Sequence, residues 1–154
     1  MTNNKMYFIA NWKMFGNLSS INSINKVINL AKLKKYKKTR IVYCPPYTLL
    51  EAFVKKTKKS KISVGAQNCH HESNHGPNTG FVNSKMIKDT GSKFVIIGHS
   101  EMRNEGDTDK KINKKIKSAI NSNLNIVFCI GETLKDKKNK KTNIVLKRQI
   151  KNGL

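Results

Sequence analysis

The stretch Phe94-Val95-Ile96-Ile97-Gly98-His99-Ser100-Glu101-Met102-Arg103 decides how the chain folds. Four consecutive apolar residues read as a strand buried on both faces, the pattern of a parallel sheet. The run stops at Gly98, and a histidine and a carboxylate follow at once. In parallel α/β folds the chemistry sits beyond the carboxyl ends of strands, where His99 and Glu101 fall. Taken alone, a histidine after a strand is more often an ordinary loop residue than a catalyst.

Working outward, apolar runs alternate with amphipathic segments, which is the signature of βα units. Strands are expected at Tyr7 to Ala10, Ile41 to Cys44, Ile62 to Ala66, Phe94 to Ile97 and Ile126 to Ile130. Ser19 or Ser20 is expected to cap a first helix, whose Ile21, Ile24, Val27, Ile28 and Ala31 recur at helical spacing. Pro45-Pro46 ends the second strand and leads into a helix with Leu49, Leu50, Phe53 and Val54 on one face. Ser84 to Thr90 reads as a brief helix ended by Gly91. Asp107 or Thr108 is placed to cap another, with Ile112, Ile116, Ala119 and Ile120 on one face. Lys135–Lys141 reads as a charged loop or frayed turn, and Thr142 as the cap of a last helix carrying Val145, Leu146 and Ile150. No linker or second domain is visible, so residues 1–154 are expected to form a single unit.

Composition narrows the function classes. The formal charge is +22, yet only Arg40, Arg103 and Arg148 are arginine and the other 28 basic residues are lysine. Arginine is the side chain suited to bidentate phosphate and base contacts. A solvated lysine coat therefore fits better than a nucleic-acid groove, with weak polyanion binding at low salt. No apolar stretch approaches the ~20 residues that span a bilayer, and none of the segments near the start suits a signal peptide. A cytoplasmic protein is expected. The three cysteines, Cys44, Cys69 and Cys129, form no CxxC pair and fit reduced thiols better than a disulfide framework.

Three further segments accompany the opening stretch: Asn11-Trp12-Lys13-Met14, Gly65-Ala66-Gln67-Asn68 and Cys129-Ile130-Gly131-Glu132-Thr133. With Cys44-Pro45-Pro46-Tyr47 and Asn78-Thr79-Gly80, in this order, the chain resembles the triosephosphate isomerase family from about Tyr7 to Leu154. The fold implied is the TIM (β/α)8 barrel. Such a barrel typically takes ~250 residues, so about the first five βα units of an incomplete barrel are expected here. The activity implied is interconversion of dihydroxyacetone phosphate and glyceraldehyde 3-phosphate by proton transfer through an enediol(ate), in glycolysis and gluconeogenesis, with no cofactor. A noncatalytic remnant or a basic polyanion-binding fragment remain as alternatives.

The resemblance also assigns residues. Asn11 and Lys13 would contact the substrate, the ammonium stabilising the phosphate and the developing enediolate. His99 would be the electrophile; this family is itself the standard example of a neutral imidazole polarising a carbonyl. Glu101 would support the lysine and asparagine, and Ser100 would contact the catalytic glutamate in the empty site. That glutamate, the general base, lies in a motif similar to Tyr-Glu-Pro-Val-Trp after the sixth strand. No such motif occurs in these 154 residues, so the piece alone is expected to lack turnover. Glu132 reads as support at the end of the fifth strand.

The homodimer of the family would use Met14, Thr79, Phe81 and Met102. At the last two positions the family commonly carries an acid and an arginine. Both charges are replaced together here, which fits either Phe81 of one subunit packing on Met102 of the other or independent drift at two tolerant positions. A rival metal reading rests on Cys69, His70, His71 and His75. The i, i+4 pair His71 and His75 would need a helix, and Asn74, Gly76 and Pro77 disfavour one, so no metal is expected.

Overall fold

A computed structural model describes residues 5–154. Its centre is a sheet of five parallel strands in sequential order. They are β1 (Met6–Asn11), β2 (Thr39–Cys44), β3 (Ile62–Ala66), β4 (Phe94–Ile97) and β5 (Asn125–Phe128). Between them run α1 (Ile24–Ala31), α2 (Leu50–Thr57), α3 (Ser84–Asp89), α4 (Ser100–Asn104) and α5 (Asp109–Asn121). After β5 come α6 (Leu134–Lys138) and α7 (Thr142–Gly153). Each strand runs parallel to its neighbour because a helix carries the chain back between them. The five-unit α/β half-barrel expected from the sequence is what forms.

Side-chain alternation along the strands makes two cores. One face of the sheet and the helices enclose Ile24, Phe53, Val64, Val95, Ile97, Ile112 and Ile116. The opposite, concave face holds a smaller cluster of Val42, Cys44 and Ile96, flanked by Phe94, Val127 and Cys129. Val95, Ile96 and Ile97 are all buried, as a strand covered on both faces requires. Gly65 permits this closeness, since a Cβ there would lie 2.8 Å from Phe94 Cβ and 3.1 Å from Cys44 Sγ. Among the described residues β1 and β5 each pair on one side only. Met6, Tyr7, Phe8 and Ile9 are accordingly left 39–61% exposed.

Several local expectations are corrected. Asn17, not a serine, caps the first helical turn, its Oδ1 accepting the Ser20 N–H at 3.2 Å. That turn is a 3₁₀ helix at Leu18–Ser23, and α1 begins only at Ile24. In α5 Thr108 supplies the cap, accepting the Lys111 N–H at 3.2 Å, but Ile120 is 57% exposed. At roughly 100° per residue, Ile120 turns about 80° past Ile112, away from Lys115 and Ala119, which share the buried stripe. The lysine-rich segment 135–141 is not a loop throughout: Thr133 and Asp136 form a reciprocal capping box that starts α6. Thr142 does not cap α7 with its side chain; its hydroxyl donates to Glu132 Oε1 at 3.2 Å. The fifth strand begins at Asn125, whose N–H donates to Lys93 O, and ends at Phe128.

Candidate active site at the strand ends

The site is built where β1 and β4 end. Asn11 closes β1, and its Oδ1 accepts the Lys13 N–H at 2.9 Å. Between them the Trp12 ring packs edge-on against Phe53 (5.0 Å) and Tyr43 (6.1 Å). Trp12 is thus anchored to the helix-side core, and the chain turns sharply around it. Lys13 adopts a left-handed backbone, φ 52°, which costs roughly 1–3 kcal/mol for a residue with a side chain. Gln67, just past β3, offsets this: its Nε2 donates to both Lys13 O and Cys44 O, each at 2.8 Å.

Lys13 Nζ reaches Glu101 Oε1 at 2.8 Å, although the two are 88 residues apart in sequence. Both side chains are about half exposed, so the pair contributes at most ~1 kcal/mol to stability and its importance is positional. The hydrogen bond and charge of the Lys13 ammonium hold the Glu101 carboxyl below its ordinary pKa.

His99 occupies the N-cap position of α4, and its Nδ1 accepts the Glu101 N–H at 3.3 Å. The same nitrogen lies 3.4 Å from Glu101 Oε2. The backbone bond is the one that fixes the ring, because an amide N–H can only donate and the first turn of a helix needs an acceptor. With Nδ1 accepting, Nε2 carries the proton. An imidazole N–H, an ammonium and an amide side chain then converge on one end of the sheet. Donors arranged in this way can stabilise negative charge developing on a substrate oxygen.

The remaining candidate residues do not join this grouping, although Ser100 and Glu132 line the same cleft as His99. Ser100 is exposed, and Glu132 is half-buried against Thr142. Met14 (94%) and Phe81 (61%) are exposed, as is Thr79. Phe81 and Met102 line the same cavity of about 220 Å³ within one chain, with Tyr47, His70, Asp107 and Lys115. Phe81 already packs on the His70 ring there, centroids 4.7 Å apart, and Met102 Sδ accepts from Asn68 Nδ2 at 3.0 Å. His71 and His75 lie in irregular chain. Among the described residues no three His, Cys, Asp or Glu side chains are grouped to hold an ion, and no helix is long and apolar enough to cross a membrane. Burial pushes the Cys44 and Cys69 thiols up to about 12.

Two groups to which the sequence pattern assigns no role help to build the site. Gln67 holds the Lys13 backbone. Arg103 bonds to Gly98 O, Asp109 and Cys129 O at once. The sequence signals for them were membership of the quoted stretches and their place: one residue past a strand, and one helical turn past His99.

Comparisons with known proteins point to one family. The family model described as triosephosphate isomerase matches residues 6–154. A triosephosphate isomerase from Endomicrobium trichonymphae is 38% identical over 97% of this chain and 60% of its own length. One from Dictyoglomus thermophilum is 42% identical over 94% of this chain and 58% of its own length. The crystal structure of the Bartonella henselae triosephosphate isomerase superimposes with a TM-score of 0.90 at 32% identity, covering 98% of this chain and 62% of that one. The chain thus spans about three-fifths of the length of the relatives it matches. On this match, which runs through the strand ends that carry Asn11, Lys13, His99 and Glu101, the chain belongs to the triosephosphate isomerase family.

Proposed function

We propose that this chain carries the electrophilic and cationic half of a triose phosphate isomerase site. The reading rests on one observation above all: Lys13 and His99, from the ends of two different strands, are both held by Glu101. In the reaction, a proton leaves the carbon next to the carbonyl while negative charge builds on the carbonyl oxygen. His99 Nε2–H donates to that oxygen, and Lys13 balances the enediolate and phosphate charges. Asn11 fixes the Lys13 turn and faces the substrate, and Glu101 orients the ammonium. A base, a neutral acid and a cation suffice for such a transfer, so no cofactor or metal is required.

The base is not among these 154 residues, and we propose that the five-unit piece alone does not turn over. General-base assistance typically contributes ~10²–10⁴-fold, and positioning through the phosphate adds to that. In the complete protein the partner is a second copy of the chain, docked through the segment holding Thr79 and Phe81 near Met14 and Met102. The unit acts as a single partial-barrel domain in the cytoplasm, and its lysines bind no specific nucleic acid.

The test joins the chain to the last three βα units of a full-length relative. The fused enzyme is expected to isomerise dihydroxyacetone phosphate in a coupled assay, and Lys13→Met is expected to abolish this. A fused, folded enzyme whose turnover is indifferent to Lys13 would contradict the reading, as would near-normal turnover by the 154-residue piece alone.

A further inference from the structure

His99 can donate usefully only if its ring is held in one orientation and one tautomer. Its own helix is a weak support, because α4 is a five-residue turn. The peptide that carries the His99 nitrogen begins at the Gly98 carbonyl, and Gly98 has φ +81°. A side chain at position 98 would place its Cβ 2.8 Å from Cys129 O. The ends of β4 and β5 therefore approach closely at the residue before His99.

Arg103 occupies this junction. Its Nε donates to Gly98 O at 2.9 Å, and Nη2 donates to Cys129 O at 3.4 Å. Its Nη1 pairs with Asp109 Oδ1 at 2.7 Å, with both side chains only 16% exposed. The second Asp109 oxygen faces Arg148 Nε at 3.4 Å on the outer side. All three guanidinium nitrogens are thus used on three different elements: the turn after β4, the end of β5 and the first turn of α5. A planar fork can do this; a lysine ammonium, a point charge on a flexible stem, cannot hold two carbonyls and a carboxylate in fixed directions.

We propose that Arg103 is a positioning residue for His99. It acts through the Gly98 carbonyl, with Asp109 holding the guanidinium in place. Fixing that carbonyl fixes the plane of the Gly98–His99 peptide. This sets the direction in which the imidazole leaves the backbone, so that Nδ1 meets the Glu101 N–H and Nε2 keeps the proton. The proposal rests on the reading of His99 as the group that polarises the substrate carbonyl, but its test does not require turnover.

The test is ¹⁵N spectroscopy of the histidine side chains in the 154-residue chain at neutral pH. Wild-type His99 is expected to show the widely split nitrogen pair of a single tautomer, with the proton on Nε2. Arg103→Lys, with folding checked by circular dichroism, is expected to lose the split as both tautomers become populated. Asp109→Asn keeps the guanidinium but loosens it, and is expected to narrow the split partially; it decides the matter if Arg103→Lys does not fold. Arg148→Gln, on the outer side of Asp109, is expected to leave the pair unchanged. A wild-type His99 already averaged between tautomers would overturn the proposal. An unchanged split in a folded Arg103→Lys protein, or in Asp109→Asn when that variant decides, would overturn it too. Failure of the fused enzyme to depend on Lys13 would instead count against the functional reading and leave this one standing.

Discussion

Lys115 is the most consequential buried charge in the chain, and replacing it by methionine should be severe. Its side chain is 4% exposed, as is that of Asp107, with which it pairs directly. Lys115 Nζ also donates to Asn68 Oδ1 at 3.0 Å, next to the strand end that presents Gln67. Lys115→Met keeps the apolar stem but leaves the Asp107 carboxylate in the interior. Breaking a buried pair typically costs ~3–5 kcal/mol. Lys111 Nζ remains 3.1 Å from Asp107 Oδ1 and is more exposed, which places the expected loss near the lower end, about 3 kcal/mol. With a urea slope of about 2 kcal/mol/M, the unfolding midpoint falls by about 1.5 M. Asp107→Leu combined with Lys115→Met removes both charges and should recover most of the loss, since no unpaired charge remains. Equilibrium urea unfolding followed by Trp12 fluorescence reads the difference. A Lys115→Met midpoint within about 0.3 M of wild type would refute the argument, as would a double variant no better than the single one.

Other outcomes follow from single contacts. Gly98→Ala should destabilise the fold by more than the ~1–2 kcal/mol of a left-handed alanine, because the new Cβ also meets Cys129 O; urea unfolding checks this. Burial, followed by the charge of His71 and those of Lys115 and Lys111, holds His70 below its ordinary pKa of 6.5, against the opposing effect of Glu72. A base with a depressed folded pKa stabilises the fold fully above 6.5, and that contribution is eroded as pH falls below 6.5. The protection of amides 69–82 against hydrogen exchange, taken relative to the intrinsic rate at each pH, should therefore fall between pH 6.5 and 5 in wild type but not in His70→Tyr; equal pH profiles would contradict this. In the fused enzyme, Phe81→Glu and Met102→Arg should each weaken the dimer and the pair should restore it. Simple additivity of the two in sedimentation would mean that they do not meet across subunits.

The legible parts of the molecule were those with local causes. The strands at Ile62–Ala66 and Phe94–Ile97 follow from apolar runs that both faces of the sheet bury, and they form at the expected residues. The segment after Thr133 misled because its lysines outweighed a Thr-x-x-Asp cap signal that was present in the sequence. Ile120 misled because an apolar residue at i+8 lies at the rim of a helical stripe and can face solvent as well as core. The Lys13–Glu101–His99 grouping could be named only through family motifs, since nothing local brings residues from β1 and β4 together. Arg103 and Gln67 stand inside the quoted stretches, yet their roles were illegible for a related reason: most of their partners are backbone carbonyls near other strand ends, which leave no mark in the residue pattern.

The central claim is that His99 supplies the N–H that polarises a triose phosphate carbonyl. The most direct measurement is the turnover of the fused enzyme with His99→Gln against wild type. Loss of one such donor typically costs ~10²–10³-fold in kcat, and the account predicts a fall of that size with KM little changed. A His99→Gln enzyme that folds and retains wild-type kcat would contradict it.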